Sequence, residues 1–426
     1  MKQHKALATI LTLAFLTLLS PCAWSDPIFR TLYVFTGGTT GSQPISGLVM
    51  DKFGNLYGTT QSGGIGEPCA PFAQLGCGVV FQLVPIKHER DSFTDMETDR
   101  AKPPVAWQEN VIYAFHGEDG ARPEAPLVID KHGDLFGTTE TGGPGDCGGL
   151  GCGVAFQLSR HGNHKWTEEV IGKFGDGNGQ NPTAPLTFDG EGNLYGTTTG
   201  DTVFKLSPER HGGWTNTELY HFNAFDGSLP RSGVIFDPEG NLYGTTEEGG
   251  DLSGNVYRLS PNSDGTWTDT VLYTFIESRY PGVPDEGIYP IGGLVRDRNG
   301  NLFGTTFAAG AGGSGTVYEL KRNSDDSWTL RTIHSFGADH GFPAATLVMD
   351  KAGALYGMAQ ARVCGVVFKL TPKGNGNWRE DILHRFDGTY GCASGGPLFM
   401  DSMGNLYGAT LGDGTTTFGS VFEITP

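Results

Sequence analysis

Long apolar runs are scarce in this sequence, and the one that stands out lies at the N-terminus. The stretch from Ala6 to Leu19 is largely apolar, follows the basic residues Lys2 and Lys5, and precedes the small-x-small pattern Ala23-Trp24-Ser25. These features are typical of a secretory signal peptide. We therefore interpret residues 1–25 as a signal and residues 26–426 as one mature domain, secreted or periplasmic. The run is shorter than the roughly 20 residues that a spanning helix needs, so we expect no membrane span.

Basic residues are also few. Without Lys2 and Lys5, 27 basic residues face 47 acidic ones, and the formal charge changes from −18 to −20. A protein that binds nucleic acid neutralises phosphates with clustered lysines and arginines, whereas an acidic surface repels them. The composition argues against a nucleic-acid partner, and we expect a monomer.

Two familiar catalytic signatures are absent: the sequence has no Gly-x-Ser-x-Gly elbow and no Walker loop. Six cysteines remain after the signal, an even number that predicts disulfides in an exported chain. Their spacing does not match the paired ligands of structural zinc sites. Of the fifteen pairings open to six cysteines, proximity favours Cys69 with Cys77 and Cys147 with Cys152, which leaves Cys364 with Cys392.

One short motif is abundant. The stretch from Asp51 to Thr60, DKFGNLYGTT, returns in related form at Asp130, Asp189, Asp237, Asp297, Asp350 and Asp401. In every copy a glycine follows the aspartate by three positions, an aromatic by six and a second glycine by seven. Aspartate, glycine and asparagine suit a tight hairpin, and the spacing differs from that of calcium-binding loops. We interpret these seven aspartates, the anchors, as turn formers.

Each repeat carries four strand-like segments, named a to d in chain order. Strand a is the apolar run before the anchor, b is the Leu-Tyr-Gly-Thr-Thr segment, c contains Val-aromatic-x-Leu, and d leads from a tryptophan to a phenylalanine eight residues later. We expect strand a to be buried on both faces. We also expect the tryptophan and phenylalanine of strand d to share one face, because their spacing is even. Gly58 and its equivalents predict close approach of a neighbouring blade's backbone.

The repeats predict an all-β fold, a seven-bladed β-propeller of four-stranded antiparallel blades. The anchors lie about 58 residues apart, a length that fits one blade with its loops. The last repeat stops after strand c at Pro426, while Thr31 to Phe35 forms an additional strand d before the first repeat. We therefore predict that the N-terminal strand pairs with the C-terminal strand and closes the ring without a free edge.

The motif D-x-x-G-N-L-Y-G-T-T, with its glycine-rich loop, V-F-x-L and strand ending in Phe, resembles the choice-of-anchor tandem repeat (GloVer) proteins of bacteria. The resemblance covers residues 31–426. It implies an exported, propeller-like protein and transfers no catalytic residues. The hairpin is more distantly similar to that of propeller lactonases and lyases, whose metal ligands and acid-base residues we cannot place on this sequence.

The two ends of the predicted blades differ. The a-to-b turn has one length in all seven repeats, whereas the b-to-c and d-to-a loops vary and emerge together at one end, named the variable face. Binding sites commonly lie on loops of a rigid scaffold, so we expect the site here, around the central channel. The charged insertion at 84–106 lies at the opposite end and is either a solvated loop or a partner-docking segment.

An acidic element follows strand d on the variable face. We predict a ring of carboxylates that binds calcium or a polyhydroxylated ligand, with the members Asp119, Asp176, Asp226, Asp285, Asp339 and Asp387. Turn formation is the alternative explanation for an aspartate before glycine. Tyr280, Tyr289 and Tyr390 are candidates for stacking on sugar rings, and His116 and His340 lie nearby in the sequence.

Two classes of function remain. We favour a non-enzymatic binding or scaffold module for a glycan or an extracellular protein, with calcium as the candidate ion. The alternative is a divalent-metal-dependent lactonase, lyase or glycan-active enzyme that uses the channel mouth. An enzyme should concentrate carboxylates or histidines with shifted pKa at the channel entrance.

Overall fold

The computed structural model describes residues 26–64, 69, 75–86, 106–162, 165–175, 177–250, 253–277, 286–361, 363–413 and 416–426. These residues form seven antiparallel sheets, the blades of a closed β-propeller. Six blades have four strands in the order a, b, c, d, and the seventh combines strands from both ends of the chain. The predicted all-β, seven-bladed fold is confirmed. The proposed signal and most of the 84–106 insertion lie outside the described residues.

Strand a is always two residues long, and strands c and d are the longest. In chain order the strands are β1 Ile28–Val34, β2 Val49–Met50, β3 Leu56–Thr60, β4 Val79–Ile86, β5 Ala106–Ala114, β6 Val128–Ile129, β7 Leu135–Thr139, β8 Val154–His161, β9 Lys165–Lys173, β10 Thr187–Phe188, β11 Leu194–Thr198, β12 Thr202–Pro208, β13 Trp214–His221, β14 Ile235–Phe236, β15 Leu242–Thr246, β16 Asn255–Pro261, β17 Trp267–Thr274, β18 Val295–Arg296, β19 Leu302–Thr306, β20 Thr316–Arg322, β21 Trp328–Ser335, β22 Val348–Met349, β23 Leu355–Ala359, β24 Val366–Pro372, β25 Trp378–Arg385, β26 Cys392–Ala393, β27 Phe399–Met400, β28 Leu406–Leu411 and β29 Ser420–Thr425. Blades 1 to 6 take β2 to β25 in consecutive groups of four, and blade 7 takes β27, β28, β29 and β1, with β26 paired to β28.

The N-terminal strand closes the ring. β1 runs antiparallel to β29, with Phe29 opposite Ile424 and Thr31 opposite Phe422. The strand begins at Ile28, three residues before the predicted start. It supplies strand d of blade 7, so the predicted closure is confirmed.

The anchor aspartates form the a-to-b turns. Asp51 Oδ1 accepts hydrogen bonds from the backbone N–H groups of Phe53 and Asn55 at 2.8 and 2.9 Å. Its Oδ2 accepts from the Asn55 amide at 2.8 Å and from the Tyr57 hydroxyl at 3.1 Å. The two backbone bonds recur at all seven anchors. The anchors are therefore occupied by their own turns, as the sequence predicts.

The hydrophobic core is distributed over the seven interfaces between adjacent blades, each named a seam. In the seam between blades 7 and 1, Phe35 and Val421 of blade 7 pack with Leu48 and Phe81 of blade 1. The Phe35 and Phe81 rings meet edge to face, with centroids 5.0 Å apart. Six further clusters occupy the other seams. Because apolar burial drives association, the blades stabilise one another across these seams.

A bulge in strand d places its tryptophan and its phenylalanine on opposite faces. Trp107 packs in the seam between blades 7 and 1, whereas Phe115 packs in the seam between blades 1 and 2, so the expectation of a shared face is wrong. The pairing of β4 with β5 shifts after Val80, which lies opposite Tyr113, because the next partner is Val111. The additional residue inverts the alternation of side chains beyond it. Blades 2 to 6 show the same shift.

Two smaller expectations are also wrong. The residues of strand a, such as Val49 and Met50, are half-buried rather than buried on both faces. A Cβ added to Gly58 would lie 2.6 Å from the ring of Phe81 and 2.8 Å from Leu48. Both residues belong to blade 1, so Gly58 makes room for an aromatic ring of its own blade rather than for a neighbouring backbone.

The segments that precede strand a converge around the axis. A Cβ added to Gly47 in blade 1 would meet Pro397 of blade 7 at 2.8 Å and Pro126 of blade 2 at 3.2 Å. Contact with the equivalent segment of both neighbours places these segments at the centre of a closed ring. In five seams the first threonine of strand b donates a hydrogen bond to a backbone carbonyl of the next blade. Thr197, for example, donates its hydroxyl to the Ser232 carbonyl at 2.8 Å. Thr138, Thr245 and Thr305 make the equivalent bond, and Thr59 donates to the carbonyl of Pro123 in the corresponding loop of blade 2.

The three predicted disulfides are present, and each lies on the variable face. The Cα atoms are 5.3 Å apart in Cys69–Cys77, 5.2 Å in Cys147–Cys152 and 4.5 Å in Cys364–Cys392. Disulfides of this number are typical of proteins that fold in an oxidising compartment. Within the described ranges, no helix has the length and apolar character required to cross a bilayer.

Candidate functional site

In blades 1 to 6, two residues of each blade are held together beside the axis on the variable face. One precedes the proline of the d-to-a loop, and the other follows the second threonine of strand b. In blade 2 the N–H of Glu140 donates to the carbonyl of Arg122 at 3.0 Å. The same bond joins Gln61 to Gln43, Thr199 to Asn181, Glu247 to Leu229, Phe307 to Tyr289 and Gln360 to Phe342. These six pairs, named the mouth pairs, surround the channel entrance.

The first member of most mouth pairs has a left-handed backbone. The φ angles are 59° at Gln43, 58° at Arg122, 55° at Asn181, 54° at Leu229 and 61° at Tyr289. This region is unfavourable for residues other than glycine, so the surroundings must hold it. The N–H groups of Arg122 and Asn181 each donate at 2.8 Å to a cystine carbonyl, that of Cys77 or Cys152. The disulfide loops therefore help to fix where the mouth side chains point.

One half of the mouth is charged. Arg122 lies between two carboxylates, with Nη2 at 3.1 Å from Glu124 Oε1 and Nε at 3.0 Å from Glu140 Oε2. Arg231 pairs with Glu247 in blade 4. These five residues, named the mouth cluster, come from the d-to-a loops and the ends of strand b in blades 2 and 4, and Gln61 of blade 1 donates to Glu124.

Glu140 has the shifted pKa in this cluster. Burial, the charge of Glu124 and a hydrogen bond with Glu124 raise its pKa to about 7, while the positive charges of Arg122 and Arg231 oppose the rise. A carboxyl group with this pKa exchanges a proton near neutral pH. The arrangement can bind hydroxyl or cationic groups, and it can also donate or accept a proton.

The other half of the mouth is aromatic. Tyr289 and Phe307 form the mouth pair of blade 5, and Phe342 belongs to the pair of blade 6. The rings of Phe307 and Phe342 stack with centroids 5.3 Å apart and an interplanar angle of 28°. All three residues are half-buried. The mouth is therefore mainly polar beside blades 1 to 4, with Leu229 as an apolar exception, and mainly aromatic beside blades 5 and 6.

The predicted acidic residues that the structure describes make mostly local contacts. Asp119 accepts from the His116 N–H at 2.7 Å and from the Tyr113 hydroxyl at 2.5 Å. Asp226 makes the equivalent contacts with Asn223 and Tyr220. Asp339 is exposed, and exposed Asp387 accepts from the Thr389 N–H at 2.9 Å. The acidic ring stays a prediction, because Asp176 and Asp285 lie outside the described residues.

The three tyrosines predicted to bind sugars do not lie together in one described site. Tyr289 is a mouth-pair residue, as described above. Tyr390 is 49% exposed in the d-to-a loop that leads into blade 7, and its carbonyl accepts a hydrogen bond from Thr410 at 2.6 Å. Tyr280 lies outside the part of the chain that the structure describes.

Carboxylates also gather at the outer parts of the seams. The bulge turns Glu109 toward the preceding blade and Tyr113 toward the following one, so each strand d serves two seams. Burial raises the pKa of Glu109, Glu168 and Asp269 to about 7. For Glu168 the charge of Asp119 adds to the rise, and for Asp269 that of Asp226 does so. These groups link neighbouring blades and lie away from the mouth pairs.

The opposite face carries a groove between blades 3 and 4 with a volume of about 510 Å³. Phe188, Tyr195, Phe236 and Trp267 contribute its aromatic lining. Asp189 and Asp237, which also line it, are anchors that accept hydrogen bonds within their own turns. The groove is thus built from residue types that every repeat needs for folding, and we do not assign the function to it.

Sequence reasoning missed the mouth cluster. Glu140 and Glu247 directly follow the Thr-Thr of strand b, while Glu124 and Arg231 directly follow the proline of the d-to-a loop. Alignment of the seven repeats on these two landmarks would have revealed the positions, because the residues there change in chemical type between blades.

The fold and site define a seven-bladed propeller with a polar and aromatic channel mouth. The Gloeobacter/Verrucomicrobia repeat family matches residues 102–288 and 253–426, and the chain belongs to this family. The expected resemblance to GloVer proteins is confirmed. No curated protein matches.

Several solved structures are similar to this chain at low sequence identity, and one of them, a protein from Lactobacillus plantarum, supports the fold. It is 14% identical, with a TM-score of 0.51, over 80% of this chain and 84% of its own. A luciferin-regenerating enzyme has 12% identity and a TM-score of 0.40 over 94% and 96% of the two chains. A protein of unknown function from Dyadobacter fermentans has 12% identity and a TM-score of 0.44 over 93% and 99%.

Proposed function

We propose that the chain is an exported propeller that binds a saccharide at the mouth of its channel. The observation that carries this proposal is the division of the mouth into a charged half and an aromatic half. A sugar ring presents hydroxyl groups at its edge and C–H groups on its faces. Ligand sites commonly combine apolar or aromatic walls with a few fixed polar groups. Arg122 and Glu124 supply the polar groups, and Tyr289, Phe307 and Phe342 supply the rings.

Two independent features of the chain support export. The basic and apolar N-terminus suits a signal peptide. Three disulfides suit an oxidising compartment. A secreted or periplasmic protein meets cell-surface and environmental glycans, which is consistent with the proposed ligand class.

A glycan array on residues 26–426, followed by calorimetry on each ligand found, tests the proposal. Phe307→Ala and Glu124→Gln should each weaken binding about tenfold, as expected for an interaction worth roughly 1.4 kcal/mol. Phe53→Ala is the matched control, because Phe53 is a 68% exposed phenylalanine on an a-to-b turn at the opposite face. An array without ligands, or ligands whose affinity neither mouth variant changes, would contradict the proposal.

The same titrations address calcium. Each ligand is measured with added calcium and again with a chelator. Binding that the chelator removes and calcium restores would favour a cation held by the predicted acidic ring. Equal affinity in both conditions would restrict recognition to the mouth residues themselves.

A second candidate is a glycan-active enzyme, and Glu140 favours it. Glu140, whose pKa is raised, lies beside the carboxyl group of Glu124, and a pair of neighbouring carboxyl groups is an arrangement that acid-base catalysis uses. Mass spectrometry of array ligands incubated with the protein separates the candidates. Cleavage that Glu140→Gln abolishes while binding persists would replace the binding proposal with the enzyme.

A further inference from the structure

The seam between blades 5 and 6 differs from two other seams at three equivalent positions. The first position lies two residues before the phenylalanine that follows strand d, and the second lies four residues after that phenylalanine. The third position lies six residues before the equivalent phenylalanine of the next blade. In the seam between blades 1 and 2 they hold Tyr113, Asp119 and Glu168; between blades 3 and 4, Tyr220, Asp226 and Asp269; between blades 5 and 6, His334, His340 and Glu380. The seam between blades 5 and 6 retains an acidic residue at the third position, Glu380, but has histidines in place of the tyrosine and the aspartate.

The three side chains of this seam converge on one carboxylate oxygen. Glu380 Oε1 lies 3.0 Å from His340 Nδ1 and 3.5 Å from His334 Nε2. One ligand atom of each residue lies within 4.8 Å of the other two. A tetrahedral zinc ion with bonds of about 2.0–2.1 Å places its ligand atoms roughly 3.3 Å apart. The observed separations from the carboxylate therefore need changes of only a few tenths of an ångström.

We propose that His334, His340 and Glu380 bind one zinc ion across the seam between blades 5 and 6. Two imidazoles and one carboxylate form a ligand set that suits zinc, whereas calcium takes six to eight oxygen ligands. The side chains are 24%, 26% and 17% exposed, so an ion can reach them from solvent. Water completes the tetrahedron at the open position. The ion would join strand d and the following loop of blade 5 to strand d of blade 6.

Arg385 determines which ring nitrogen of His340 carries the proton before the ion binds. Its Nη2 lies 3.0 Å from His340 Nε2, and because a guanidinium only donates, Nε2 accepts and Nδ1 carries the proton toward Glu380. Coordination through Nδ1 moves that proton to Nε2. The hydrogen bond from Arg385 is then lost, and the exposed arginine turns to solvent. Arg385 therefore opposes zinc binding without touching the ion.

The test uses residues 26–426 without an affinity tag, titrated with zinc alone and with cobalt(II). Calorimetry should give one ion per chain, cobalt should show the intense visible absorption of a tetrahedral site, and zinc should raise the melting temperature. His334→Tyr with His340→Asp installs the residues of the seam between blades 1 and 2, so this variant should fold and lose more than tenfold in affinity. His384→Tyr is the matched control. His384 occupies the first position of the next seam, where it stacks on Phe29 at 3.6 Å, and its replacement should leave zinc affinity unchanged.

Arg385→Gln distinguishes coordination from a merely structural histidine pair. Glutamine can accept a hydrogen bond from His340 Nε2–H, so this variant should bind zinc more tightly than the wild type. The proposal is overturned by the absence of saturable zinc binding in the wild type, by equal binding in the double variant, or by Arg385→Gln binding with unchanged or lower affinity. A melting temperature of the metal-free double variant close to that of the wild type verifies that it folds.

Discussion

Replacing Glu168 by glutamine should stabilise the protein above neutral pH. Burial raises the pKa of Glu168 from 4.5 to about 7 in the seam between blades 1 and 2. The folded state therefore binds a proton more tightly than the unfolded state. The stability that this group contributes is fully present below pH 4.5 and is lost as the pH rises to about 7. Glutamine has no charge to desolvate, and its amide N–H can donate to the Tyr113 hydroxyl oxygen, whose own proton is donated to Asp119.

The size of the stability change follows from the pKa shift of Glu168. A change from 4.5 to about 7 sets an upper limit of roughly 3.4 kcal/mol, at 1.36 kcal/mol per pKa unit. Because Glu168 is only half-buried, solvent screening reduces the effect to about 1–2 kcal/mol. Its sign is unusual, since most charge-removing substitutions in a folded protein are neutral or destabilising.

Urea unfolding of the wild type and Glu168→Gln from pH 5.5 to 8.5 measures the effect. This range stays above the pI of 4.9, where precipitation would interfere. The stability difference between variant and wild type should widen as the pH rises and level off above about pH 8. Glu218→Gln removes an exposed carboxylate from strand d of blade 3 and should show no such widening. A difference that is independent of pH, or a loss of stability at pH 8, would refute the reasoning.

Three further predictions concern the ring. Deletion of residues 26–36 should abolish cooperative unfolding, because β29 loses its partner β1; an unchanged melting curve would contradict closure. Replacing Cys364 and Cys392 together by serine should cost roughly 3–4 kcal/mol, as loop entropy predicts for a 28-residue separation, and denaturant unfolding with and without reductant measures it. Thr197→Val keeps the side-chain shape but removes the bond to the Ser232 carbonyl, so unfolding experiments should show a loss of about 1–2 kcal/mol. Thr215→Val, on an exposed strand position, is its control, and equal losses would count against the seam bond.

The features predicted from sequence depend on chemistry that each repeat carries within itself. Asp51, Gly54 and Asn55 define a turn whose hydrogen bonds all lie inside seven consecutive residues. Ring closure followed from counting strands, since the unpaired strand d at one end matched the missing one at the other. The cystines were predictable because two pairs are close in sequence and only one pairing remained for the last two.

The wrong expectation for strand d has one physical origin. Alternation with a period of two holds only while the ladder is regular, and the bulge in strand d has no signature in residue type. Ile112 is the additional residue in blade 1, and it resembles any other strand residue. The consequence is large, because the bulge decides that Trp107 faces one neighbour while Phe115 faces the other. Those two contacts join three consecutive blades.

The mouth was missed for a different reason. Its backbone is highly repetitive, because the same hydrogen bond joins the mouth pair in six blades. Its side chains are the least repetitive, with Arg122 and Glu140 in blade 2 but Tyr289 and Phe307 in blade 5. Repetition of the motif directs attention to the anchors, which serve folding. A site formed around the axis of a propeller instead needs unlike side chains on equivalent positions, because a single ligand presents different groups in different directions. The positions where equivalent residues differ in chemistry are therefore where a search for the ligand should begin.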